Sequence, residues 1–448
     1  MHDLGEKGAV CLYGGEPHHL IPYIEWAHKA PERYVIWIEH HLHSEELSSS
    51  ILRRVWVHDP FGYEEMFKKY VWECVFLPFT FLSLEEGGEG VMQHLLALQL
   101  GVHALASAYA DLGEGYMRNV LANMQHPQRP AYILKDRFSG IPALICGAGP
   151  SLDVDAVRAL KNKALIFGCG SATLPLVRAE AAPHLRVAVD PDPPRERYSL
   201  IPESIPLCYS RGCASSLVEG TTALWIDDIG RYPLERWLFD CEDRTPLDGG
   251  WNAVTCAIAL ALLCGCSPII LSGVDLSYIG DKRYVEGVIA KDEEPPSDWL
   301  VAAEWIAECI KKHPDTRWIH VWNGGRTLPA ERVSSLQECP LEHTYDITER
   351  VQALLNNAPT STYSAKGLQE HIENAHEALI RLIEGYSLDA PFAAALWEEA
   401  LEQNIFYEKF LSPLWDVWKH VFARQGQDRM HRVLFLHRVL ICLLKSCF

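Results

Sequence analysis

The stretch ALICGAGPSLD, from Ala143 to Asp153, decides the fold of the central part of the chain. Its first four residues are apolar and predict a short buried strand, after which Gly147 and Gly149 allow the backbone to turn sharply. Pro150 stiffens this turn, and Ser151 is a residue type that often caps a helix N-terminus. The stretch therefore predicts a strand, a glycine-rich turn and a helix capped by Ser151.

The same alternation of short apolar runs and helical stretches extends over residues 131–345. Short buried strands that alternate with helices are typical of a parallel sheet with helices on both faces. We therefore predict an α/β fold whose central domain, residues 131–345, is a doubly wound, Rossmann-like parallel sheet. Seven runs predict its strands: PALICG, ALIFGCG, LRVAVD, IPLCYS, TALWID, PIILSGVD and RWIHVWN.

The regions on either side of this domain have different patterns. Residues 1–130 begin with AVCLYGG, LIPYIEWAHKA and RYVIWIE, which predict a strand, a helix and a second strand. Long helical stretches follow, so we expect a smaller Rossmann-like N-terminal domain with connecting helices. Residues 346–448 carry apolar residues at helical spacing, which predicts a helical C-terminal domain.

Composition excludes several classes of protein. The 448 residues are 48% hydrophobic and carry a formal net charge of −19, whereas a nucleic-acid-binding surface needs an excess of basic residues. No signal peptide and no membrane span is predicted from the apolar runs. Several of the 14 cysteines stand inside apolar strands or helices, where a free thiol packs as a small apolar group. We therefore predict a cytoplasmic protein.

The glycine turn departs from the NAD-binding fingerprint. That fingerprint needs a third glycine and, about 20 residues later, an acidic residue that binds the ribose. Leu152 stands at the third glycine position, and the next strand ends in FGCGS, which brings Ser171 and no acid to its tip. The sequence therefore argues against NAD, and we expect the turn to contact a phosphate or a ribose.

Acidic residues follow two other predicted strands. Asp190 and Asp192 form a D-P-D segment after LRVAV, and Asp275 follows Gly273 at the end of PIILSGVD. A D-x-D pair suits Mg²⁺ on a pyrophosphate or a hydrogen bond to a hydroxyl group, although a solvated turn explains this pair equally well. Asp275 is a candidate base or ribose ligand, because Asp is uncommon in strands and this one stands at the site end.

Other polar residues belong to the same predicted edge. Gly250 and Asn252 precede a buried helix that Asn252 is placed to cap, and Asn323 follows the last predicted strand. A simple glycine turn with an Asn cap explains the first pair as well as a ligand does. The segment EHHLHSEE, Glu39–Glu46, holds metal-binding residue types at loose spacing, so we predict a solvated loop there and no metal.

Four segments of the chain, in the order in which they occur along it, resemble the motility accessory factor (Maf) family of flagellin glycosyltransferases, which use nonulosonic, sialic-acid-like sugars. The same domain resembles the archaeal 6-hydroxymethylpterin diphosphokinase, an MptE-like domain. The G-x-G-P-S-L part is similar to the nucleotide loop of sialyltransferases that use CMP-sialic acid. The four segments are ALICGAGPSLD, LRVAVDPDP, GGWNAVTCAIALALLCGCSPIILSGVDLSY and VWNGG.

The resemblance implies roles for individual residues. The nucleotide phosphate or ribose would be held by Gly147, Gly149, Pro150 and Ser151, and the same crevice would be lined by Asp190, Gly250 and Asp275. By their position at strand ends, Ser171, Asn252, Gly273 and Asn323 are further candidates for nucleotide binding. The chain departs from the family pattern after the second strand, where it has GCGS, and after the glycine pair, where it has Trp251.

Three functions follow from these resemblances. The first is transfer of a sialic-acid-like sugar from a CMP-linked donor to Ser or Thr of a protein acceptor, with Asp190 and Asp275 as catalytic carboxylates and no required cofactor. The second is pyrophosphoryl transfer from ATP to a hydroxymethylpterin, which needs Mg²⁺, for which Asp190 and Asp192 are candidate ligands. The third is a non-catalytic nucleotide-sugar-binding protein, which the departures from the family pattern suggest.

Overall fold

The chain forms two compact units, Met1–Ala108 and Tyr109–Phe448. Their boundary falls inside one continuous helix, α3 (Glu89–Met124). The structure is a computed structural model, and it describes residues 8–30, 33–39, 52–58, 63–75, 77–126, 129–226, 232–239, 246–289, 298–358, 367–388, 390–422 and 429–447.

The first unit contains a parallel sheet of four strands among its described residues. The strand order is β3-β2-β1-β4, and two helices, α1 and α2, follow β1 and β3. The predicted strand–helix–strand start is confirmed, whereas β3 and β4 were not predicted. The elements are β1 (Gly8–Tyr13), α1 (Pro17–His28), β2 (Arg33–Glu39), β3 (Leu52–Trp56), α2 (Tyr63–Glu73) and β4 (Phe79–Ser83).

An acidic side chain closes the glycine turn of this sheet. β1 pairs in parallel with β2 on one side and with β4 on the other, so the order in which strands are added to the sheet reverses at β1, and a topological switch point lies between β1 and β4. Gly14 and Gly15 follow β1 with positive φ angles of 68° and 80°. The Glu85 carboxylate, just beyond β4, accepts a hydrogen bond from the N–H of Gly15 at 3.2 Å.

The second unit holds a parallel sheet of nine strands within the described part of the chain. Its strand order is β13-β12-β11-β6-β7-β8-β9-β10-β5, which confirms the predicted doubly wound sheet and its seven strands. The two strands that were not predicted, β5 and β13, are short and lie at the two edges. The strands are β5 (Arg129–Pro130), β6 (Ala143–Cys146), β7 (Leu165–Cys169), β8 (Leu185–Ala188), β9 (Leu207–Tyr209), β10 (Ala223–Trp225), β11 (Ile269–Ser272), β12 (Trp318–Val321) and β13 (Glu331–Val333).

Helices cover both faces of this sheet. On one face α7, α8 and α9 pack over Ile145, Phe167 and Leu271, which are fully buried. On the other face the segments around α4 and α5 pack over Leu144 and Ile166. The helices are α4 (Val154–Arg158), α5 (Thr173–Arg178), α6 (Pro233–Phe239), α7 (Ala253–Leu263), α8 (Asp298–Lys312) and α9 (Ile347–Asn357).

The strand order places a topological switch point between β6 and β11. From β6 the chain proceeds through β7, β8, β9 and β10 on one side, then returns to pair β11 with the opposite side of β6. The loops that follow β6 and β11 leave the sheet on opposite faces. In sheets of this kind a ligand is expected outside the carboxyl ends of the strands at the switch point. The glycine-rich turn at Gly147 stands at this point.

The C-terminal region is helical, as predicted, and packs within the second unit. The Phe410 ring contacts the edge of Tyr232, with centroids 4.8 Å apart, and Tyr232 lies 5.9 Å from Tyr116 at the end of α3. Within the described residues, no helix is long and apolar enough to cross a membrane. The helices are α10 (Leu368–Ser387), α11 (Pro391–Glu402), α12 (Ser412–Phe422) and α13 (Arg429–Cys447).

Two buried histidines make this unit sensitive to acid. The Nδ1 of His184 accepts a hydrogen bond from the N–H of Ile166 in β7, which requires a neutral ring. Burial, with a smaller contribution from Lys161, lowers the pKa of His184 to about 4. Burial likewise lowers the pKa of His320, on β12, to about 4. Both rings must therefore gain a proton on unfolding in mild acid.

We expect the free energy of unfolding to fall as the pH drops from about 6.5 towards about 4. In that range the unfolded chain binds a proton at each histidine that the folded chain does not, so each ring contributes a slope of up to about 1.4 kcal/mol per pH unit. Urea titrations at a series of pH values measure this slope. The variants His184→Gln and His320→Gln should each reduce it, and an unchanged slope in both would contradict the assignment.

Candidate functional site

The glycine-rich turn is bonded to Asp275 across the switch point. The Ser151 hydroxyl donates to Oδ1 of Asp275 at 2.6 Å, and the Ser151 N–H donates to Oδ2 at 2.9 Å. The N–H groups of Gly147 and Gly149 donate to the carbonyls of Ser272 and Gly273, both at 2.8 Å. The turn is thus held by the end of β11, and these donors already have partners within the protein.

The glycines of this turn are required by close packing. A Cβ atom at Gly147 would overlap the carbonyl of Gly273, and one at Gly149 would overlap the Asp275 carboxylate. A Cβ at Gly273, whose φ is +66°, would lie 2.7 Å from the Cβ of Leu152. Because the two loops touch through their backbones, side chains are excluded at all three positions. Neither Gly147 nor Gly149 has a positive φ angle.

Ser151 is not the helix cap that the sequence predicts. The helix α4 begins at Val154, and its N-cap is Asp153, whose carboxylate accepts from the N–H of Ala156 at 3.0 Å. The hydroxyl of Ser151 is directed to Asp275 instead. Both residue types cap helices well, so the local sequence does not distinguish them. Ser151 is drawn away from the helix end by Asp275, a partner that lies 124 positions away in the sequence.

Asp275 is almost completely buried, with 1% of its surface exposed. Burial raises the pKa of its carboxyl group, and the two hydrogen bonds from Ser151 oppose this change. The backbone carbonyl of Asp275 accepts from the N–H of Arg326 at 2.9 Å, and a Cβ at Gly325 would lie 2.9 Å from that carbonyl. Asp275 therefore joins the loops after β6, β11 and β12, and the exposed Asn323 lies at the start of the third loop.

A second group of candidates meets beside β7. Gly170 and Ser171 form a tight turn after this strand, and a Cβ at Gly170 would lie 3.5 Å from the Cβ of Ala253, the first residue of α7. The amide oxygen of Asn252 accepts from the N–H groups of Val254 and Thr255, which confirms that Asn252 caps α7. The turn that holds Ser171 and the N-terminus of α7 therefore lie next to each other.

The turn into α7 is ordered by its own hydrogen bonds. Gly250 has a φ of +64°, and its N–H donates to the carboxylate of Asp248 at 3.0 Å. The Thr255 hydroxyl accepts from the N–H groups of Trp251 and Asn252 at 2.8 and 3.0 Å. The Trp251 side chain remains 39% exposed, so a large aromatic ring is available to a ligand here.

Asp190, after β8, is a carboxylate that is both ordered and accessible. Its Oδ1 accepts from the N–H of Asp192 at 3.0 Å, and its Oδ2 lies 3.8 Å from Nη1 of Arg197. The side chain is 42% exposed. Arg197 was not predicted from the sequence. Its position shortly after the D-P-D segment is the feature that could have identified it as a partner of Asp190. The two predicted catalytic acids thus differ, since Asp190 can touch a ligand and Asp275 is enclosed.

The segment that follows Asp275 crosses the ends of the neighbouring strands. The N–H of Val285 donates to the carbonyl of Ala148 at 2.9 Å, in the loop after β6. Farther along, Arg178 donates to the carbonyl of Gly287 at 3.3 Å and Arg197 to that of Ile289 at 3.0 Å. The segment therefore connects the loop after β6 with the regions after β7 and β8.

The structure brings the predicted site residues to one edge of the sheet. Most of them follow β11, β6, β7 and β8, four adjacent strands with a spacing of about 4.8 Å. Asn323 follows β12, and Gly250 and Asn252 precede α7. The metal ligands proposed at Asp190 and Asp192 are held in a turn, and no group of three or more His, Cys, Asp or Glu side chains suited to a metal occurs among the described residues. The EHHLHSEE segment lies outside the described residues except for Glu39, which pairs with Arg54.

Part of the chain matches a known protein family. Residues 116–281 match the model of the 6-hydroxymethylpterin diphosphokinase MptE-like family. The matched stretch begins in the last turns of α3 and ends beyond Asp275, so it contains the switch point and Asp190. No curated protein matches the sequence at a significant level.

The fold of the whole chain is similar to one solved structure, that of the Maf glycosyltransferase from Magnetospirillum magneticum AMB-1. The match covers 99% of this chain and 78% of that one, with a TM-score of 0.56 and 12% sequence identity. At this identity the match establishes the fold. The predicted resemblance to the MptE-like family is confirmed by the match over residues 116–281, and the predicted resemblance to Maf glycosyltransferases is confirmed for the fold.

The variant Gly149→Ala should lower the free energy of unfolding by about 1–3 kcal/mol, because the added methyl group must displace the Asp275 carboxylate. Gly115→Ala is the matched control, since the nearest atom to a Cβ there is Nη2 of Arg118 at 3.6 Å. Inside α3 this control should be neutral or stabilising by up to about 1 kcal/mol. Urea denaturation compares the two. Equal stability of Gly149→Ala and the wild type would show that the loops after β6 and β11 can move apart with no loss of free energy of unfolding.

Proposed function

We propose that the protein is a glycosyltransferase that moves a sialic-acid-like sugar from a CMP-linked donor to Ser or Thr of a protein acceptor. The observation that carries this proposal is the similarity of fold over 99% of the chain to a Maf glycosyltransferase. The MptE-like domain supports it, because a nucleotide site is expected at the switch point of such a sheet.

We propose that the ribose and phosphate of the donor occupy different parts of the crevice. The hydroxyl and N–H of Ser151 are already bonded to a carboxylate, which disfavours a phosphate at Gly147–Ser151 and leaves this turn beside the nucleoside. The turn at Ser171 and the start of α7 lie one strand farther along. In this proposal the phosphate of CMP lies there, because the cap of α7 is a neutral amide and not a carboxylate. The N–H groups of Val254 and Thr255 are bonded to this cap, so it is the positive end of the helix dipole that stabilises the phosphate as leaving group.

The exposed and buried acids then take separate roles. Asp190 is the accessible carboxylate, so it is assigned to the reacting sugar, where negative charge stabilises an oxocarbenium-like transition state or accepts the proton of the acceptor hydroxyl. Asp275 has 1% exposure and is assigned to holding the turn through Ser151. In this proposal it positions the site and does not itself touch the sugar.

Pyrophosphoryl transfer from ATP to a hydroxymethylpterin is the second candidate. It is favoured by the description of the matching family and by the half-exposed Trp251 ring, on which a pterin would stack. Asp190 and Asp192 would hold the Mg²⁺ that this reaction needs. Transfer of sugar in the presence of EDTA would separate the two functions, and nucleotide binding without any turnover would support a non-catalytic protein.

CMP and a CMP-linked sialic acid should raise the melting temperature of the protein, because a ligand of the folded state stabilises it. NAD should not, since the third glycine and the ribose-binding acid are missing. A thermal-shift series with CMP, ATP and NAD, with and without Mg²⁺, measures this. Stabilisation by ATP and Mg²⁺ alone would favour the diphosphokinase, and stabilisation by NAD alone would contradict both proposals.

The variant Asp190→Asn should lower the rate of sugar transfer by about 100-fold or more while changing the affinity for CMP by less than about threefold. The amide keeps the volume and the turn but removes the charge that the transition state needs. Initial rates and calorimetric titration with CMP give the two quantities. A normal rate in Asp190→Asn would remove Asp190 from the chemistry, whereas a loss of CMP binding would make it a nucleotide ligand.

A further inference from the structure

Two asparagines near the end of α3 hold the loops beside Asp190. The amide nitrogen of Asn119 donates to the carbonyl of Pro191 at 2.9 Å and to that of Gly212 at 3.1 Å. One turn later, the amide nitrogen of Asn123 donates to the carbonyls of Arg211 and Cys213 at 2.8 and 2.9 Å. The two side chains lie on one face of the helix, four positions apart.

Asn119 differs from Asn123 in the loops that it joins. The amide nitrogen of Asn123 donates to two carbonyls of the turn after β9, whereas that of Asn119 donates to this turn and also to Pro191, the residue after Asp190. The turn after β9 is itself bonded to Asp190, since the N–H of Ala214 donates to the Asp190 carbonyl at 3.2 Å. One amide group therefore fixes both loops relative to each other.

This contact limits the freedom of the Asp190 turn. The proline at position 191 already restricts Asp190 to extended backbone angles. The hydrogen bond to the Pro191 carbonyl fixes the next rotation, about ψ of Pro191, and so the position of the Asp192 N–H that donates to Asp190 Oδ1. The orientation of the Asp190 carboxylate thus depends on a donor in α3.

We infer that Asn119 is a positioning residue for Asp190. The inference rests on the proposed function in one respect, the assignment of Asp190 to the reacting sugar. In this inference Asn119 does not touch the ligand. Its amide group donates hydrogen bonds to two backbone carbonyls, and these bonds hold the exposed Asp190 carboxylate in the orientation that the transition state needs. The match to the MptE-like family begins at residue 116, so this part of α3 belongs to the matched domain.

The first test measures how well the Asp190 turn is held, through the exchange of its backbone amides, and it needs no substrate. Asn119→Asp keeps the side-chain volume but replaces both donors by an oxygen that faces two carbonyl oxygens. Hydrogen–deuterium exchange should become faster in the peptide spanning residues 187–195. The control Asn123→Asp should accelerate exchange at residues 210–216 and leave 187–195 unchanged. Wild-type exchange at 187–195 in Asn119→Asp would overturn the inference, whether or not the enzyme assay succeeds.

The second test is a double-mutant cycle with Asp190→Asn. Asn119→Asp should lower kcat by about tenfold, the equivalent of one lost hydrogen bond, with little change in KM for the donor. In the Asp190→Asn background it should have no further effect, because its action passes through Asp190. Additive effects on kcat would make Asn119 merely structural and overturn the inference; additivity is the result expected for Asn123→Asp.

These tests also separate this inference from the proposed function. If the wild-type protein transfers no sugar from a CMP-linked donor, the proposed function fails, and the exchange data alone decide whether Asn119 positions the turn. If transfer occurs and Asn119→Asp lowers the melting temperature but leaves kcat unchanged, the proposed function stands and the positioning role is refuted.

Discussion

The bond between Ser151 and Asp275 is the constraint on which the candidate site depends. It joins two loops that leave the sheet on opposite faces, and it requires glycine at three positions where the backbones touch. The same aspartate supports the loop after β12 through its carbonyl. With these strand ends fixed, Ser171 follows β7, beside the start of α7, and Asp190 follows β8, the next strand of the sheet, so the candidate residues are held at defined positions by the fold itself.

The sequence patterns predicted the strands of the sheet well, and they predicted the contacts within the site less well. Seven strands were predicted because each is an apolar run that ends at a glycine, a proline or a polar residue. The edge strands β5 and β13 have two and three residues, too few to show a period. Ser151 was assigned as a cap because local sequence favours Ser and Asp equally, and the contact that decides between them is long-range. Asn119 was missed for the same reason, since its partners Pro191 and Gly212 are distant in the sequence. Arg197 was missed although its partner Asp190 is close in the sequence.

Burial separates two acids that look alike in the sequence. Both Asp190 and Asp275 follow a strand of the same sheet, and both were predicted to be catalytic. The enclosed Asp275 uses its carboxylate for Ser151, whereas Asp190 remains accessible and is held by backbone donors and Arg197. Position at a strand end therefore identifies the region of the site, and exposure determines which residue can act on a ligand.

The contact between Glu85 and Gly15 gives the first unit a device like that of the second. In each sheet, an acid from the strand across the switch point bonds to the N–H of the glycine turn. Because it is attached to the same chain, such a carboxylate competes with free anions for the N–H groups of the turn at an effective concentration of about millimolar or more. A free anion can occupy either turn only by displacing it. Weak, non-specific capture of phosphate or other small anions is thereby suppressed at both turns, and ligands with several contacts are favoured.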